Sequence, residues 1–214
     1  MAGNDAPSSL RTLWLVIFAM VMVSMLVVML VDADTMRSAW RAERAKAVDW
    51  LGGDAVQAIG SRTRDWYSTL VIDSGAQDAV YDALIGDWET NHEQQMKDWG
   101  LTSWLAGRME VIWLIVGIIL YRLAFIVTWI PPLLPFLVAA TWDGLCQRRI
   151  IQERFHSPSP TLYHAARWYM VILIVGIGVV LFIPATLPAY WVPVAAIMTA
   201  GFAWVGIANL RKRV

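Results

Sequence analysis

VIWLIVGIILYRLAFIVTWIPPLLPFLVAATW, residues 111–142, carries a single charge, Arg122, in about 30 residues. The hydrocarbon core of a bilayer takes about 20 apolar residues of helix. Three further apolar stretches run from Leu13 to Val31, Tyr169 to Pro188 and Trp191 to Ala208. Within hydrocarbon only helices and closed barrels satisfy their own backbone, and no segment shows the ~10-residue alternation of barrel strands. The expected fold class is therefore all-α: an integral membrane protein with about four transmembrane helices, a helical periplasmic lobe and a short basic cytoplasmic loop.

Charge orients the spans. Residues 32–110 hold eight basic and fourteen acidic side chains, while Arg148, Arg149, Arg154 and Arg167 face only Asp143 and Glu153 in the loop at 143–168. The end of the chain adds Arg211, Lys212 and Arg213 without an acid. Short loops rich in Lys and Arg stay cytoplasmic, so both termini are expected inside and 32–110 outside, in the periplasm of a bacterial inner-membrane protein. The expected layout is a cytoplasmic tail at 1–12, helix 1 at 13–31, a helical periplasmic segment at 32–110 and a long proline-broken helix 2 at 111–142. A basic loop at 143–168, a hairpin of helices 3 and 4 at 169–208 and a basic tail at 209–214 complete it. A formal net charge of zero hides this asymmetry and gives no support to direct nucleic-acid binding. Seven of the thirteen Trp, among them Trp14, Trp129, Trp142 and Trp191, fall near span ends, where amphipathic rings prefer the interface. The first stretch exceeds the usual 7–15-residue core of a signal peptide and reads as an uncleaved anchor.

In the outer segment, mixed charges from Asp34 to Lys46 predict a helix leaving the first span. Gly52-Gly53 breaks it, and Asp54 is placed to cap the next. Val56, Ile59, Thr63, Trp66, Tyr67 and Leu70 recur at helical spacing and predict one buried face. Ser74-Gly75 is a second break, and Val80, Tyr81, Leu84, Ile85 and Trp88 mark a third helix. In helix 2, Pro131, Pro132 and Pro135 predict a bend near 130–135. Arg122 has two readings. It snorkels to the headgroups, or it is buried and paired. No Asp or Glu lies inside the apolar runs, so a buried carboxylate is expected from another protein or from the span ends, where Glu110 is nearest in sequence.

Catalytic patterns are missing from the sequence. His92, His156 and His164 complete no metal-ligand set with the single cysteine, Cys146, and that lone cysteine excludes an internal disulfide. There is no Gly-rich phosphate loop or nucleophile elbow, no chain of intramembrane acids for a proton path, and no internal repeat of the transporter kind. No cofactor and no catalytic residue are expected. The loop after Trp142 holds the binding candidates: Asp143, Arg148, Arg149, Arg154, His164 and Arg167, a basic patch suited to a partner's carboxylates or to lipid phosphates. Ser159-Pro160 is an N-cap and first-turn pair for the following helix.

Asp143-Gly144-Leu145, Arg148-Arg149-Ile150, Phe155, Ser157-Pro158 and Tyr163-His164-Ala165, set between a proline-broken span and a closing hairpin, resemble a family of integrating-conjugative-element membrane proteins. The chain is also similar to the TraJ-type membrane partner of the TraG-type coupling ATPase of H-type plasmid transfer systems. The resemblance implies conjugative DNA transfer through a type IV secretion system. The role expected from it is a non-enzymatic scaffold that binds and positions the coupling ATPase, in contact with membrane lipids and as a homo- or hetero-oligomer. The alternatives are a small transporter or channel subunit, with Arg122 and the helix-2 prolines lining a path, and an intramembrane hydrolase using His164.

Overall fold

The computed structural model describes residues 14, 18, 22, 25, 26, 28–83, 101–153, 159–183 and 185–210. Among them the regular structure is helical, with no strand: α1 (Ala33–Leu51), α2 (Gly53–Tyr67), a π turn (Ser68–Ile72), α3 (Ala76–Tyr81), α4 (Leu101–Glu153), α5 (Pro160–Phe182) and α6 (Trp191–Ala208). Three stretches, Gly107–Ile151, Thr161–Phe182 and Trp191–Ala208, are long and apolar enough to cross a membrane, and they mark a membrane protein. The expected first span lies largely outside the described residues, as do Leu84, Ile85 and Trp88 of the third outer helix and the basic tail from residue 211. The chain forms two compact units, Met1–Phe125 with Leu181–Pro188, and Ile126–Val180 with Ala189–Val214.

The first unit is built on α1 and the leading half of α4. Met36 joins Val111, Ile115 and Ile118 in a buried cluster, with Trp40, Leu114 and Ile119 packed on it. Contacts advance together along the two helices: Arg37 pairs with Glu110, Trp40 meets Tyr121 edge-on, and Glu43 meets Arg122. The two helices therefore run parallel. At the end of α1, Gly52 takes φ +83°, a conformation that favours glycine, and its N–H closes on the Val48 carbonyl at 2.9 Å. This Gly52 turn, not Asp54, precedes α2. Asp54 lies within the first turn, where a carboxylate faces the positive end of the helix dipole.

Val56, Ile59 and Thr63 are buried as their spacing predicts, but Leu70 is 58% exposed and Val71 is 4% exposed. The π turn explains the difference. A π turn takes in an extra residue, so the inward position moves from 70 to 71. Gly75, at φ +68°, ends the turn and starts α3.

α4 is continuous for 53 residues, roughly 80 Å of helix at 1.5 Å per residue, so the prolines do not end it. Pro131, Pro132 and Pro135 each remove one helical donor, but they cluster within about a turn and a half, and regular helix continues on both sides. All three are exposed.

In the second unit, α5 starts as the Ser159-Pro160 pair predicts. Ser159 Oγ accepts from the Leu162 amide at 3.5 Å, and the Ser159 amide donates to Asn209 Oδ1 at the end of α6. Tyr169 and Phe202 stack at 4.9 Å, 9° from parallel. A Cβ on Gly144 would stand 3.3 Å from the Trp204 carbonyl oxygen, so α4 and α6 pack too closely there for a side chain. Val127, Ile130, Leu134, Phe136 and Val138 on α4, Ile172 and Ile174 on α5 and Ile197 on α6 face outward. Such apolar exposure suits lipid rather than water.

The π turn sets a direct test. Ile59→Ala, at a fully buried site, is expected to lower stability by about 2–5 kcal/mol. Leu70→Ala is expected to stay within about 0.5 kcal/mol of the parent. Thermal unfolding in detergent measures both, and a costly Leu70→Ala would contradict the shifted register.

Candidate functional site

Arg122 is 2% exposed, and all five of its N–H groups are engaged. Nε donates to Glu43 Oε1 at 3.0 Å and Nη2 to Glu43 Oε2 at 2.6 Å. Nη1 donates to the Leu181 and Ile183 carbonyls at 3.3 and 2.8 Å, and Nη2 donates also to the Ala185 carbonyl at 2.8 Å. A guanidinium carries five donors in a planar fork. Here two serve a bidentate carboxylate and three serve backbone oxygens at and just after the end of α5, where a helix leaves carbonyls without helical partners.

This arrangement excludes snorkelling, and it corrects the expected source of the carboxylate. The partner comes from the same chain, 79 residues earlier, and Glu110 pairs with Arg37 instead. The sequence signal was present. Met36, Trp40, Glu43 and Ala47 fall on one stripe of α1, so Glu43 is an acid in an apolar row and is 7% exposed.

Further polar contacts close the first unit. Arg108 Nη1 donates to the Val28 and Val31 carbonyls at 2.8 and 3.0 Å, and Nη2 stands 3.5 Å from Asp32 Oδ1. Lys46 Nζ donates to Thr186 Oγ1 at 3.3 Å. A cavity of about 540 Å³ opens between α1, α2 and α4, lined by Trp40, Tyr67, Trp113, Leu114 and Gly117 among others. Burial raises the Tyr67 phenol above its ordinary pKa, and the neighbouring Tyr81 adds to the rise.

The residues singled out in the 143–168 loop divide into two sets. Asp143 is engaged within the chain: its Oδ2 accepts from Trp204 Nε1 at 2.7 Å. Arg149, His164 and Arg167 are exposed, and His164 stands edge-on to Tyr163 at 5.7 Å. Arg148 is half-buried, and its Nε has no hydrogen-bond partner among the described residues. Arg154 lies outside the described residues, as does His156. Among those described, no ion pair joins Arg148, Arg149 or Arg167 to a carboxylate, whereas Arg37, Arg108 and Arg122 each have one. Trp204, which the sequence marks only as one of the seven Trp near span ends, and Asn209, which carries no pattern there, fasten this end. Among the described residues no group of three His, Cys, Asp or Glu could hold a metal ion.

Residues 30–211 match the family described as IncC plasmid conjugative DNA transfer protein DtrJ-like, and the chain belongs to that family. This places it in conjugative DNA transfer, in agreement with the resemblance carried by the 142–167 stretch. No curated protein and no solved structure matches the chain.

The clamp makes its own prediction. Arg122→Lys retains the charge but offers three donors in place of five, so it is expected to lose roughly as much stability as Arg122→Leu, about 3–5 kcal/mol for a broken buried pair. Melting in detergent and steady-state protein level read the loss. A Lys variant as stable as the parent would mean that charge alone suffices.

Proposed function

We propose that this member of the DtrJ-like family is a non-enzymatic inner-membrane component of a conjugative type IV secretion system, which binds and positions the coupling ATPase for DNA transfer. The observation that carries this reading is a set of arginines on fixed helices of the second unit that pair with no described carboxylate. Arg37, Arg108 and Arg122 are matched to carboxylates of their own chain, whereas among the described residues Arg148, Arg149 and Arg167 are not. Arg148, Arg149 and Arg167 stand on helices fixed by the Asp143–Trp204 and Ser159–Asn209 contacts. Rigid elements present a binding surface more sharply than loops do. Guanidinium groups that pair with no described carboxylate suit carboxylates on a protein surface, through charge-assisted and often bidentate contacts.

In this reading the basic end is cytoplasmic, where the ATPase works, and both termini are on the same side. The acidic segment at 32–110 is periplasmic, and the stretch at 13–31 supplies a fourth span. Basic loops retained inside support that orientation. Lipid phosphates are a second class of contact for the same arginines near the membrane.

Replacing Arg148, Arg149 and Arg167 together by Glu is expected to cut co-purification of the coupling ATPase roughly tenfold or more, since three contacts worth about 0.2–1 kcal/mol each are lost and like charges are introduced. DNA transfer should fall with it. Because the same change weakens the topology signal, reporter fusions after Gly75 and at the end of the chain are needed in parallel, with the first expected exported and the second internal. Undiminished binding with topology intact would remove the patch from the interface.

A further inference from the structure

We infer that the cavity of the first unit is a phospholipid site, in which an acyl chain lies between α1, α2 and α4 and the phosphate is held by Arg64 and Tyr67. Such a site belongs to a membrane protein, which the three long apolar helices mark, and it is independent of the coupling ATPase.

The cavity has the size and lining of a ligand site. Its volume of about 540 Å³ falls within the ~300–1,000 Å³ usual for small-molecule pockets, which are apolar with a few convergent polar groups. Trp40 of α1, Ile72 of the π turn, and Trp113 and Leu114 of α4 give it an almost wholly apolar surface. The indole N–H groups of Trp40 and Trp113 are buried in the wall, so the rings offer carbon rather than nitrogen to the space. Gly117 completes the α4 side, and a Cβ there would meet no atom within 4 Å. A larger residue at 117 would have filled room that the glycine leaves open.

The polar residues at the cavity divide by whether their hydrogen-bonding groups are already spent. Thr63 Oγ1 donates to the Ile59 carbonyl at 2.8 Å, Ser68 Oγ donates to the Asp65 carbonyl at 2.9 Å, and Glu110 is paired with Arg37. The Arg64 guanidinium and the Tyr67 hydroxyl have no partner among the described residues. They lie three residues apart on α2, and so on one face of it. Burial and the neighbouring Tyr81 raise the Tyr67 pKa, so the phenol keeps its proton at neutral pH and remains a donor. With Glu110 offset by Arg37, the uncompensated charge at the cavity is that of Arg64. A guanidinium and a hydroxyl, both donors, suit the oxygens of a phosphate.

An apolar space with an anion site beside it specifies an amphiphile. The α4 residues that line it run from Glu110 to Gly117, about 10 Å of helix. That is too short to seat a partner helix by anchors at i, i+3, i+4 and i+7 over several turns. A phospholipid joins an acyl chain to a phosphate, and it is the amphiphile that surrounds a membrane protein.

The full chain, purified in dodecyl maltoside and stripped of lipid, is offered phosphatidylglycerol, diacylglycerol of the same chains, or glycerol 3-phosphate. Native mass spectrometry and melting temperature read binding. The parent is expected to hold one phosphatidylglycerol and to bind diacylglycerol about fivefold more weakly, the worth of one arginine at a phosphate surface. Glycerol 3-phosphate, which has no chain to bury, is expected to leave the melting temperature unchanged. Arg64→Gln should erase the preference between the two lipids. Gly117→Leu and Leu114→Trp, which fill the cavity, should weaken both lipids roughly tenfold or more. Arg64 is exposed, so its replacement leaves folding intact and decides the matter even where a filled cavity does not fold. Equal binding of the two lipids by the parent would overturn the phosphate site. Lipid bound by folded Gly117→Leu and Leu114→Trp within about threefold of the parent would lie on the outer surface of the protein and would overturn the cavity as its site.

Discussion

Arg122 leaves water with five N–H groups to satisfy, and the first unit is arranged to satisfy them. An uncompensated buried charge is among the most expensive defects in a folded protein. Here the charge is met by Glu43 of α1, and the remaining donors by three carbonyls at the end of α5. One side chain of α4 thereby fixes two other segments, drawn from 79 residues before it and from about 60 residues after it. The surrounding contacts, Arg37 with Glu110, Arg108 with Val28 and Val31, and Lys46 with Thr186, repeat the theme at more exposed positions. Such exposed pairs contribute little individually, so the apolar cluster around Met36 and the Arg122 clamp carry most of the specificity.

The second unit follows a different logic. Its helices are fastened at the end where α4 leaves and α5 begins, by close approach at Gly144, by the Trp204–Asp143 hydrogen bond and by the Ser159–Asn209 contact. Elsewhere their outer faces are aliphatic. The arginines beside these fasteners have no described internal carboxylate. Exposed arginines carried on fixed helices suit contact with a second protein, the part proposed for this chain in conjugative transfer.

The large features of the fold were legible because each rests on one strong physical signal. Length and apolarity gave the long helices of 107–151, 161–182 and 191–208, Gly52 and Gly75 gave the breaks, and Ser159-Pro160 gave the start of α5. What failed was what depends on tertiary context. The π turn moves Leu70 outward without a mark in the composition. The partner of Arg122 was sought within the apolar runs and near Glu110, although Glu43 occupies the Met36–Trp40–Ala47 stripe. A charge at a core position of an amphipathic helix is the signal that a second charge, distant in sequence, awaits it. Trp204 was marked only as a Trp near a span end, and the role of Asn209 had no local signature.

The dependence on Glu43 and Arg122 as a unit is most directly measured by a double-mutant cycle, with Glu43→Met, Arg122→Met and both together, compared by reversible unfolding in detergent. If the pair is the central tie, each single change costs about 3–5 kcal/mol and the double change costs clearly less than their sum, because neither Met leaves a lone charge behind. Losses that add to within about 0.5 kcal/mol would show that the two side chains act independently and would contradict the account.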